Sequence, residues 1–180
     1  LRLLQAVGAD AEVAATAAAA AGGDLDRART LATDERLGLR HAAWKGLPGR
    51  LDGSGHAAAT AVAELESMIA EALEPLAVRQ QAELEELSRQ IEELGLRAGA
   101  KKELEARHKR EQRRFRSAEL RFGLATLAGV YRDELAATAR PAPVLAALDL
   151  IDEAGFALTR YPNETLLLQA LFARLPSTFR

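Results

Sequence analysis

One stretch constrains the fold more than any other: Lys101 to Ala139 reads as a single helical pattern with two unlike halves. Residues 101–114, KKELEARHKREQRR, hold seven basic and three acidic side chains and almost nothing apolar. From Phe115 the pattern turns amphipathic. Leu120, Leu124, Leu127, Tyr131 and Leu135 recur at steps of four and three, the spacing of one buried helix face. Gly123 is the first glycine or proline after Gly99, and on propensity alone it costs only ~1 kcal/mol against Ala. A solvated arm therefore runs directly into a core helix, and the remaining chain must pack on one half or pair with the other.

The partner for the basic arm lies just upstream. Residues 56–94 form a second long helical pattern, with Val62, Leu65, Ile69, Leu73 and Leu76 as one stripe. Leu84, Leu87, Ile91 and Leu94 follow at coiled-coil spacing. Pro75 lies between the stripes and is expected to kink or break the helix. Residues 79–94 carry five Glu and two Arg, net −3, against net +4 for residues 101–114. With Gly95 to Gly99 as the turn, an antiparallel hairpin would set Glu93 near Lys101, Glu92 near Lys102 and Glu85 near Lys109. Exposed pairs contribute only ~0.2–1 kcal/mol each, so they select register more than they stabilise. The seam of the basic arm, Leu104, His108 and Glu111, is poor in apolar residues. The expectation is a protruding, mobile hairpin over 79–114.

Upstream of residue 48 the pattern gives three short helices. The first ends at Gly8. The second, capped by Asp10, runs to Ala21. The third is capped by Asp24 and passes through Leu37 and Leu39 to Trp44. Residues 46–55, GLPGRLDGSG, hold four Gly and one Pro and read as a linker, with the boundary at 48–55. Downstream, the Arg140-Pro141-Ala142-Pro143 segment breaks the chain. A helix from Val144 to Thr159 and a last one from Glu164 to Leu175, capped by Asn163, complete it. The run TLLLQALF is apolar on most faces, which suits a core or a subunit interface. The candidate interface residues are Leu166, Leu167, Leu168, Leu171, Phe172 and Leu175.

The fold class is therefore all-α. The apolar share of 48% is mostly Ala and Leu, and no stretch alternates with period two. Zero Cys removes disulfide and thiolate chemistry. No apolar run reaches membrane-spanning length, and a cytoplasmic protein is the expectation. The chain opens on Leu-Arg-Leu-Leu, already within a helical pattern, so it reads as the C-terminal part of something longer.

Motifs for chemistry are sparse. A phosphate-cradling G-x-x-x-x-G-K-[ST] is missing from the sequence. Gly22-Gly23 before Asp24 fits a helix C-cap followed by an N-cap better than an anion site. Glu105-Ala-Arg-His108 has Glu-x-x-His spacing, but a di-iron bundle needs a second such motif and two further Glu. Ser54 and His56 have no recognisable acid partner. No catalytic, cofactor or metal residues are assigned, and the chain is expected not to be an enzyme. The basic arm offers Arg110, Arg113 and Arg114 as candidate nucleic-acid contacts, without an aromatic in 101–114 for base stacking.

Two stretches together resemble a known family. Ala21-Gly-Gly-Asp-Leu-Asp-Arg-Ala-Arg-Thr-Leu-Ala32 resembles the last lid helix of clamp-loader subunits. Tyr161-Pro-Asn-Glu-Thr-Leu-Leu-Leu-Gln-Ala-Leu-Phe172 resembles the final collar helix of the delta-prime subunits of bacterial DNA polymerase III. Lys109-Arg-Glu-Gln-Arg-Arg114 before a helix reaching Val130-Tyr131-Arg132-Asp133 also resembles that family. The resemblance implies a lid over 1–47 and a helical collar over 56–176, without the family's N-terminal ATPase-like domain of the AAA+ class. It implies assembly with delta and gamma/tau subunits to load the sliding clamp in DNA replication, within a complex that has DNA-directed DNA polymerase activity. ATP-hydrolysing loader subunits carry an Arg three residues after the equivalent of Gly23. Here that position is Asp26, which would repel a γ-phosphate. This agrees with a non-hydrolysing member, and Arg27 is not assigned as a nucleotide sensor. The rival reading is a helical adaptor or nucleic-acid-binding protein acting through the charged hairpin.

Overall fold

A computed structural model describes residues 35–94, 99–160 and 163–175. Those residues are all-α, without a strand. The helices are α1 (Glu35–Arg50), α2 (Gly55–Leu94), α3 (Gly99–Ala137), α4 (Pro141–Ala157) and α5 (Glu164–Arg174). A 3-10 turn, Leu158–Arg160, follows α4. No helix among the described residues is long and apolar enough to cross a membrane. The helices expected before residue 34, the Gly22-Gly23 cap, Asp26 and the hairpin turn at 95–98 lie outside the described residues.

The chain divides into two compact units. One takes residues up to Glu66 together with those from Arg121; the other is Ser67–Leu120. The stretch 46–55 differs from the expected linker. Helix α1 continues through Gly46, Pro48 and Gly49 to Arg50. The reason is packing. Leu37, Trp44, Leu47 and Leu51 are all buried, and the last three follow at steps of three and four. A buried stripe outweighs the low helix propensity of Gly and Pro. Only residues 51–54 connect to α2, with Gly53 at φ +82°, a conformation Gly reaches without strain. Ser54 then serves as a cap: its Oγ accepts from Ala57 N at 3.1 Å.

Pro75 does not break α2, which runs unbroken from Gly55 to Leu94. Pro75 and Glu71, whose carbonyl loses its helical partner, are both exposed, so water can satisfy that group.

In the first unit, Val62 and Leu65 of α2 and Leu124, Leu127 and Tyr131 of α3 are buried. The face read from α3's spacing is thus the observed core face, while Leu135 at its end is half-buried. Gly123 has a role that propensity does not reveal. A Cβ there would overlap Cε2, Cδ2 and Cζ2 of Trp44, so the indole lies directly against the α3 backbone. Trp44 also meets Phe172 edge-on, ring centroids 5.9 Å apart at 78°. Helix α4 starts with Pro at its first turn and buries Val144, Ala147, Ile151 and Ala154. Its larger Leu145 and Phe156 are exposed, with the Arg160 guanidinium 4.8 Å from the Phe156 ring centroid. Asn163 caps α5 as expected, its Oδ1 accepting from Leu166 N at 3.1 Å. Thr165 Oγ1 donates to Glu66 Oε1 at 2.6 Å, and Arg50 pairs with Glu64, tying α5 and α1 to α2.

Candidate functional site

The second unit is an antiparallel hairpin of α2 and α3, and its middle is a polar seam. The charge and spacing of 101–114 placed Leu104, His108 and Glu111 on this seam. His108 is buried, and Leu104 and Glu111 are half-buried. The residues they meet differ from expectation. Glu83 Oε2 accepts from His108 Nε2 and from Arg107, each at 2.9 Å. Glu111 accepts from Arg79 at 2.6 Å and from Gln80 Nε2 at 2.8 Å. Gln112 Nε2 donates to Gln80 Oε1 at 2.6 Å, so both ends of the buried Gln80 amide are used.

The pairing is displaced by about one helical turn. The expected register would set Glu83 opposite Glu111, two carboxylates facing each other. The observed register sets Glu83 opposite His108 and Glu111 opposite Gln80, so the carboxylates no longer face each other, and Arg79 pairs with both to offset the repulsion that remains between them. Glu85 accordingly accepts from Gln81 of its own helix and not from Lys109. A carboxylate that accepts from His108 makes Nε2 the protonated nitrogen. Nδ1 is buried and has no hydrogen-bond partner. Glu105, in the Glu-x-x-His motif, is not the residue that engages His108. No group of three or more His, Asp or Glu side chains among the described residues is placed to hold a metal ion.

The electrostatics suit a clasp more than a catalyst. The hydrogen bond from His108, then Arg107, with the Arg79 charge, holds the Glu83 carboxyl below its ordinary value. Gln80, then Arg79, does the same for Glu111. Such carboxylates are weak bases, poorly matched to proton abstraction near neutral pH. A polar layer around the buried Gln80 and His108 instead penalises registers that leave the Gln80 amide or His108 Nε2 unpaired.

Depressed carboxyl values fix the sign of the pH dependence. Their stabilisation is complete above the ordinary value of 4.5 and is lost as pH falls through the lowered values. Hydrogen-exchange protection across 79–94 and 99–114, taken relative to the intrinsic exchange rate at each pH, should therefore fall on acidification below about pH 4.5, and Glu83→Gln should flatten that fall. An unchanged acid limb in Glu83→Gln would remove the seam as its cause.

The structure disperses the other sequence-derived candidates. Leu168, Leu171, Phe172 and Leu175 lie in the core of the first unit. Leu167 is half-buried, and only Leu166 of the six is exposed, at 61%. The apolar character of α5 is thus mostly taken up by internal packing, with Leu166 left at the surface. Arg110, Arg113 and Arg114 are all exposed. The seam partners Gln80, Glu83 and Gln112 were missed by the sequence reading. The available signal was Gln80, one heptad before Leu87 and so in line with the coiled-coil positions, with Glu83 at the position flanking Leu84.

No protein-family model, curated protein or solved structure matches this chain.

Proposed function

We propose that this chain is a non-catalytic piece of a clamp-loader delta-prime subunit, which works by assembling with delta and gamma/tau subunits to support sliding-clamp loading. The observation that carries this reading is the stretch ending at Phe172 that resembles the family's final collar helix. From Asn163 it forms a capped helix seated in an all-α core. The mechanism is geometric. A rigid helical unit presents apolar surface to its neighbours and fixes the positions from which an ATPase domain acts.

The exposed large apolar side chains of the α4–α5 corner, Phe156 and Leu166, are the natural contacts in this reading. Leu166→Glu should weaken binding of a labelled chain to purified loader subunits of the same organism by at least about tenfold, the cost of removing one buried anchor. Unchanged binding would place the interface elsewhere. Absence of binding by the unmodified chain, beside full-length subunits that do bind, would overturn the reading.

A further inference from the structure

The hairpin seam uses only part of the charge on α3. Of the basic residues in 101–114, Arg107 and His108 engage Glu83. Lys102, Lys109, Arg110, Arg113 and Arg114 are exposed, and none of them forms an ion pair with a described residue. They recur on α3 away from the seam positions His108, Glu111 and Gln112: Lys102, Lys109 and Arg113 at steps of seven and four, Arg110 and Arg114 at four. They span about 18 Å along the helix, at 1.5 Å per residue.

The acidic arm forms no ion pair with this row among the described residues, and of the five only Arg110 borders the groove that Glu83, Glu86 and Glu103 line. Glu85 accepts from Gln81, and Glu86 from Arg89 and Gln90, all on α2 itself. Lys109 with Arg113 and Arg110 with Arg114 are like-charged neighbours four apart, an arrangement that opposes the helix. A polyanion laid along α3 would relieve this repulsion. The attraction is local, because the whole chain is net −2 and its field beyond about 8–10 Å is screened at ordinary salt.

We propose that the outer face of α3, formed by Lys102, Lys109, Arg110, Arg113 and Arg114, binds the phosphate backbone of duplex nucleic acid without reading its sequence. A membrane surface fits less well, since this face carries no large apolar side chain to insert. Single-strand stacking is disfavoured by the lack of an aromatic between 101 and 114. The proposal stands on the charge geometry alone and is independent of the clamp-loader reading.

The test is fluorescence anisotropy with a labelled 20-base-pair DNA duplex from about 50 to 200 mM salt, a range over which counterion release is pronounced. Engagement of all five cations gives a slope of log K against log salt of about −4.5 for B-form duplex. Arg113→Gln with Arg114→Gln should reduce the slope to about −2.7. Arg132→Gln with Arg174→Gln makes the same charge change at exposed positions outside the hairpin and should leave the slope unaltered. Circular dichroism would verify that each variant keeps its helix content. Loss of binding that is equal in both double variants would overturn the site. So would salt-insensitive binding, or binding to anionic phosphatidylserine vesicles but not to duplex.

Discussion

Gly123→Ala is expected to destabilise the first unit by about 3 kcal/mol, the upper end of the usual cost of overpacking a core. At an exposed helix position the same change would be stabilising by ~1 kcal/mol. The sign reverses because the added methyl would occupy the space of the Trp44 indole. The ring cannot swing away: Trp44 is 2% exposed and is packed edge-on by Phe172. Trp44 is the chain's only tryptophan, so its emission during urea unfolding reports this contact directly. Replacing Trp44 by Leu in the Gly123→Ala background should recover part of the loss, a non-additive coupling expected of touching residues. Wild-type stability in Gly123→Ala would contradict the close approach.

The second large effect separates core from surface on α5. Leu171 is 4% exposed, so Leu171→Glu places an unpaired carboxylate in the core and should cost about 4 kcal/mol or more. Leu166→Glu, about 140° around the helix on the exposed side, should change stability by no more than ~0.5 kcal/mol. Thermal melts followed by circular dichroism distinguish the two. Any loss of assembly in Leu171→Glu is thereby attributed to unfolding, whereas a loss in Leu166→Glu is attributed to contact. Equal melting of both variants with the wild type would remove α5 from the core.

These contrasts show what periodicity can and cannot carry. The α3 core face was legible because Leu120, Leu124, Leu127 and Tyr131 are large and regularly spaced. The α4 face was not, because it is built on Ala147 and Ala154 as much as on Val144 and Ile151, while the bulkier Phe156 and Leu145 point outward. Composition misled at 46–55, where tertiary burial of Leu47 and Leu51 holds a glycine- and proline-rich segment in or against a helix. At α5 an apolar run does not by itself say whether its partner is the same chain or another. The hairpin was legible from charge asymmetry and from the seam of Leu104, His108 and Glu111. Its register was not, because opposite net charges permit several alignments and hydrogen bonds to Gln80 and Gln112 choose among them.

The row of cations on α3 that pairs with no described residue follows from the same register. Had Glu85 and Glu92 crossed to Lys109 and Lys102, two of its five cations would be paired. The polar seam thus sets both the hairpin's alignment and the charge it presents to solvent.

The proposed assembly is tested by light scattering, as the mass of the chain mixed with purified delta and gamma/tau subunits. The expected result is one defined hetero-oligomer containing this chain. A chain that stays unbound, while the same subunits bind full-length delta-prime, would contradict it.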